Sequence, residues 1–287
     1  MALYQGYIGF ADIGGVKVRC TDFSITPNQE PLFYDHAIGL NDDFTTSPEK
    51  TKGENVGTIQ IQKTLWRPGT VNIQGGISFP ATQDSASLLF NYAKTGDYID
   101  ELFFKHNCKS AQKFKHCRVN TYTFSIMAGE WVNITADIVA MDMEEDSKTD
   151  LFHTPQKFIT WDKVDIDLDG GIDKSLINGF NFTINNNIQP MYTANPLKNS
   201  RGDTMSNKLF PMDLRIGMQE VKGDIVVYNK YGLEFLTPAS SFNTISVSCP
   251  GFSTDIKVIY KPTQMPGQIG PIISTIGFVG VDRPFGA

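Results

Sequence analysis

Apolar and polar residues alternate along most of this chain, and where the alternation stops it marks a loop or a helix. Between 57 and 79 the apolar positions fall at Ile59, Ile61, Val71, Ile73, Ile77 and Phe79, the spacing of strands that bury one face. Residues 16–20 and 23–26 predict further strands, and 119–141 returns to strands around a turn at Ala128-Gly129. A helix is predicted over 84–96: Asp84 caps it, Leu88, Leu89 and Tyr92 share a face, and Gly96 stops it. Residues 35–56 are polar and aperiodic, with Asp42-Asp43, Ser47-Pro48 and Gly53, and read as a long loop. Residues 142–156 are acidic and turn-rich, which places a domain boundary there. Beyond it the pattern predicts strands at 158–167, 177–188, 214–219, 224–228, 244–248, 255–260 and 272–281. A second loop falls at 193–208 and a short helix at 231–236.

The second half of this pattern restates the first. Phe23, Ile25, Asn28 and Pro31 match Phe182, Ile184, Asn187 and Pro190. Gly69, Gly75 and Ile77 match Gly217, Gly223 and Ile225 at the same spacing, and Asn120–Ser125 matches Asn243–Ser248. Recurring blocks in one order imply a duplicated unit. The chain therefore reads as mainly β, with two tandem β-sandwich or barrel modules at 1–149 and 150–287, each with one flanking α-helix.

At 287 residues there is room for two such units, each with its own core. A net charge of -6 argues against a surface that grips nucleic acid, which needs clustered Lys and Arg. It suits a surface that DNA passes without sticking. No apolar run approaches the ~20 residues of a membrane helix. The start lacks the basic and apolar regions of a secretory signal, so synthesis and folding are expected in the cytoplasm. Cys20, Cys108, Cys117 and Cys249 are too few for a disulfide scaffold.

Few motifs suggest chemistry. Asp165, Asp167 and Asp169 resemble the start of a calcium loop, but Leu176 stands where a bidentate acid is needed, and an alternating strand with a wet acidic face is the simpler reading. His106, Cys108, His116 and Cys117 lack zinc-site spacing, and the lysines around them read as a basic exposed loop. Arg201-Gly202-Asp203 spells an adhesion tripeptide within a polar loop, where such residues are common. There is no Walker loop, nucleophile elbow or zinc-protease helix, so no catalytic residue, metal or cofactor is nominated.

The block Phe180-Asn-Phe-Thr-Ile-Asn-Asn-Asn-Ile-Gln-Pro-Met191, then Gly217-(five residues)-Gly223-Asp-Ile225 and the closing stretch 271–280, resembles the major tail tube proteins of tailed bacteriophages. The first half carries a degenerate version, with Thr26-Pro27-Asn28 in place of Asn-Asn-Asn. The resemblance implies non-catalytic tail-tube modules whose sheets join subunits into closed rings, stacked into a hollow tube in the virion tail. With six modules around such a ring, a two-module chain closes it as a trimer; a hexamer is the alternative. The implied partners are other copies of the chain, the tape-measure protein, baseplate and tail-terminator proteins, and double-stranded DNA in passage, with no membrane.

Candidate ring-stacking residues are Asp42, Asp43, Phe44, Lys50, Lys52, Asn195, Lys198, Arg201 and Asp203, and candidate lumen residues are Asp165, Asp167 and Asp169. A tail hub or tail-completion ring built from the same modules is the alternative function. A carbohydrate-binding sandwich fits poorly, since Trp66, Trp131 and Trp161 are scattered.

Overall fold

The computed structural model describes residues 9–37, 62–106, 111–146, 157–169, 174–194, 197–229, 242–261, 272–281 and 284–285. Its first half contains β1 (Gly9–Ile13), β2 (Val16–Cys20), β3 (Asp22–Phe23), β4 (Thr26–Ala37), β5 (Gln62–Pro80), α1 (Leu88–Thr95), β6 (Ile99–His106), β7 (Ala111–Met127), β8 (Asn133–Ala140) and β9 (Asp142–Asp146). The second half adds β10 (Asp165–Leu168), β11 (Ile177–Asn185), β12 (Gln189–Met191), β13 (Asp213–Arg215), β14 (Glu220–Asn229), β15 (Asn243–Cys249), β16 (Phe252–Tyr260) and β17 (Ile272–Gly280). All strand pairs are antiparallel. The mainly β reading holds.

The strands are neighbours in the order β1-β6-β7-β8-β5-β4 in the first half. In the second they run β10-β15-β16-β17-β14-β11. Chain order and neighbour order correspond strand for strand. On this ordering β15 corresponds to β6 and β16 to β7, so the sequence block that set Asn120–Ser125 against Asn243–Ser248 matched strands with different neighbours.

The two orders meet at β7 and β11, which pair from Gly179↔Met127 to Asn185↔Thr121. One sheet, β4-β5-β8-β7-β11-β14-β17, therefore runs unbroken through both halves. The start of β7 turns away to join β6 and β1, and β15 and the start of β16 fold over the second half. Phe252 on β16 stacks at 5.2 Å on Phe124 of β7 and at 6.5 Å on Phe182 of β11, the face-to-face contact of a sandwich. Buried residues from both halves, among them Phe79, Phe114, Phe124, Phe182, Ile225 and Phe278, form one continuous cluster rather than two cores.

Three local expectations change. The helix begins at Leu88, not near Asp84: Ser85 and Ala86 N–H donate to Thr82 O, and the Ser85 hydroxyl takes Thr82 N–H, so 82–87 forms turns before the helix starts. Its buried face is Leu89, Phe90 and Ala93, and Gly96 ends it at φ 73° as expected. The acidic stretch starting at 142 is strand β9, and of the lysines expected in a loop Lys113 and Lys115 are on its partner β7 and Lys105 is on β6, while Lys109 lies outside the described residues. Lys113 lies opposite Glu144 and Lys115 opposite Asp142, and Lys115 Nζ meets Glu144 at 2.7 Å, so complementary charge holds an edge pair that propensity alone disfavours. The helix expected at 231–236 lies outside the described residues.

Candidate channel surface and interlock between the halves

Alternation gives the continuous sheet one face in the core and one in solvent, and pair registers carry rows of side chains across the solvent face. One row reads Lys222, Thr183, Thr123, Thr135, Ser78 and Asp22. The next reads Asp224, Asn181, Ser125 and Asn133, and a third Glu220, Asn185, Thr121, Asp137 and Gly76. Hydroxyls bond each other along the first row, Thr123 to Thr183 at 3.0 Å and Ser78 to Thr135 at 2.6 Å. Short neutral polar groups dominate, and the carboxylates of Asp22, Asp137, Glu220 and Asp224 outnumber the described ammonium groups of Lys222 and Lys261. A phosphate backbone finds no cluster of cations there.

Asp165, Asp167 and Asp169 are exposed while Ile166 and Leu168 are buried, as alternation requires. Asp165 and Asp167 sit on β10 and Asp169 just after it, in the layer folded over the continuous sheet, and the structure does not bring them together with these rows.

At one end of the β7–β11 seam the Asn-Asn-Asn stretch forms a knot. Asn186 is fully buried; its Nδ2 donates to Ala93 O and Val119 O, each at 2.9 Å. Gln219 Nε2 donates to Asn186 Oδ1 at 2.9 Å and to Ala93 O at 3.0 Å. Side chains of the second half thus cap the carbonyl end of α1 in the first half. Asn187 adopts φ 48° and donates through Nδ2 to Met218 O at 2.7 Å, while Gly217 N–H donates to Asn186 O at 3.0 Å. A Cβ on Gly217 would lie 2.8 Å from Asn187 O, which excludes any larger residue without rearrangement. Asn187 and Gly217 were expected from the repeat; Asn186 and Gln219 were not, because their partners lie far away in sequence.

The other repeat residues hold structural positions. Phe23 stacks on Phe104 at 3.6 Å, Ile25, Phe182 and Ile184 are buried, and Gly69, Gly75 and Gly223 lie within strands. Pro31 is opposite Pro68 just past a bulge in β4, and Pro190 is opposite Leu214 in the β12–β13 hairpin.

The loop between β12 and β13 lies on the first half. Arg201 donates to Asp100 at 3.1 Å, and Asp203 bonds His116, whose backbone sits at φ 49°. The hydrogen bond from His116 holds the Asp203 carboxyl below the usual range. Tyr98 donates to Asp213 at 2.8 Å beneath the Arg118 guanidinium, 3.9 Å from its ring. Burial, followed by the bond to Asp213, pushes the Tyr98 phenol up. Ser206 bonds the buried carboxylate of Asp142. Of the stacking candidates, Arg201 and Asp203 are thus engaged within the chain, Lys198 forms a backbone bridge with Thr204, and Asp42, Asp43, Phe44, Lys50, Lys52 and Asn195 lie outside the described residues.

A family model described as phage tail tube protein matches residues 11–280. The chain belongs to the phage tail tube protein family. No curated protein matches it by sequence. It is a structural protein of the phage tail tube, a component of the virion tail that assembles with other tail proteins. Among the described residues no three His, Cys, Asp or Glu converge as a metal site. Cys117, from the zinc candidate, is a buried free thiol whose pKa burial raises. No helix among the described residues is long and apolar enough to cross a membrane.

Proposed function

We propose that this tail tube protein is two modules, 1–149 and 150–287, and that three copies close a pseudo-sixfold ring by repeating between chains the junction that β7 and β11 make within one. The observation that carries this is the recurrence of the six-strand order on both sides of that seam. β4, the counterpart of β11, hydrogen-bonds only to β5 among the described residues. No described strand covers its other edge, and an uncovered edge is a liability for a free subunit that ring closure removes. The rows from Glu220 to Ser78 then face the lumen. The tape-measure protein and later double-stranded DNA pass this acidic, hydroxyl-rich wall with little adhesion. The wall has no catalytic role, and assembly takes place in the host cytoplasm with the baseplate and terminator proteins at the tube's ends. Asp165, Asp167 and Asp169 lie on the outer layer in this arrangement.

Rings stack through the loop at 37–55. Deleting 42–52 leaves a folded protein that forms single rings and no tubes, seen by circular dichroism and negative-stain microscopy. Tubes of normal length from the deletion would refute that role. A wild-type protein whose rings never stack would instead favour the tail hub or completion ring.

A further inference from the structure

The two halves differ in one respect that their matched strand order makes visible. Gly75 lies opposite Ile138 and Gly223 opposite Phe278. This register sets Val139 and Met141 in correspondence with Val279 and Val281. Val139 is 4% exposed and Met141 1%, because Ile188 and Leu214 from the β12–β13 arm cover them. Val279 is 39% exposed. Beside it lies an open groove of about 750 Å³ whose lining joins the apolar Met218, Val221, Val279, Val281 and Pro284 to the polar Gln219, Glu220, Lys222 and Lys261. Met218 is 78% exposed beside it. Among the described residues the first half's site is filled and its counterpart is open.

We propose that the groove receives the distal arm of β4 and β5 from a second copy of this chain. Pro31 corresponds to Pro190, so the arm of residues 31–37 and 62–68 is the counterpart of β12–β13. The backbone pairs Phe33 with Trp66 and Tyr34 with Leu65, so the arm is rich in apolar residues. A two-stranded ribbon gains little stability until it packs against something. The β12–β13 arm reaches from the second half onto the first within one chain. The β4–β5 arm makes the equivalent reach onto the second half of a neighbour, and the contact is head-to-tail: each copy donates one arm and accepts one. This interface rests on the two-module ring and adds its mating parts.

The test uses full-length protein and analytical ultracentrifugation. Val279→Asp and Met218→Glu, both at exposed sites, are expected to leave the monomer's melting temperature unchanged and to raise the concentration needed for assembly by ~30-fold or more. Trp66→Asp in the arm is expected to do the same. Mixing Val279→Asp with Trp66→Asp leaves one intact arm–groove pair, so the mixture yields heterodimers and no rings. Rings from Val279→Asp alone, with wild type also forming rings, would overturn the arm–groove contact while leaving the ring intact. A mixture that stays monomeric would overturn it as well. Melting of monomeric Val279→Asp lowered by several degrees would mean that the chain's own residues fill the groove, which also overturns it. Wild type that never assembles would remove the ring reading and this interface together.

Discussion

Replacing Gly223 with valine should unfold the second half or leave it barely stable. Gly223 sits in the middle of β14, opposite Phe182 of β11. A Cβ there would overlap Asn181 O and the Phe278 ring and lie 2.9 Å from Phe182 Cα. Two of those neighbours are backbone of a paired strand, which moves only if the ladder breaks. Overpacking of this kind costs ~3 kcal/mol or more, a large share of the ~5–15 kcal/mol that holds a domain together. Gly75, its counterpart in β5, meets Ser24 and Ile25 backbone in the same way and should behave alike. Gly129→Ala is the control: at φ 85° with nothing within 4 Å of its Cβ, it carries only backbone strain, about 1 kcal/mol. Urea unfolding of the three variants gives the comparison. A Gly223→Val protein within ~1 kcal/mol of wild type would show that this approach of strands is not what the glycine is for.

Asn186→Leu, which keeps the number and branching of side-chain heavy atoms but removes every polar one, should cost ~2–4 kcal/mol. The leucine leaves Val119 O without its donor, deprives Ala93 O of one of two, and strands the Gln219 amide that donates to Asn186 Oδ1. Because these groups tie α1 to the second half, amide exchange in the last turn of the helix should quicken more than in β10 or β15. Gln219→Ala should cost less, about 1 kcal/mol, since Asn186 keeps both donors engaged. The double variant should fall short of the sum by at least ~0.5 kcal/mol, because the two amides share one network. Additive losses, or an Asn186→Leu protein as stable as wild type, would mean that the knot does not join the halves.

How much of this was legible in the sequence depends on whether a feature has a period or a distant partner. The buried alternation of β10, β14 and β17 is local and could be read directly. So could the equivalence of Gly75 and Gly223, from their matched spacing, although the close backbone approach at both came only with the structure. The Asn120–Ser125 match failed for the same reason that alternation succeeds: any half-buried strand satisfies a period of two, so a six-residue block fits more than one strand. The acidic run at Asp142–Asp146 read as a linker because the lysines of β7 that neutralise it lie about 30 residues away. Asn186, Gln219 and Tyr98 were invisible for a related reason, since each works through carbonyls or carboxylates in the other half. Pro27, at the position corresponding to Asn186, marks a real asymmetry. In the proposed ring the junction between chains would lack this amide knot, and the arm and groove are proposed to hold it instead.

Two modules per chain are proposed to make three chains per ring. End-on negative-stain images of the purified full-length protein, combined with native mass measurement of single rings, test it most directly. Hollow rings with six lobes and the mass of three chains are the predicted result. Rings with the mass of six chains, or a protein that stays monomeric at high concentration, would contradict it.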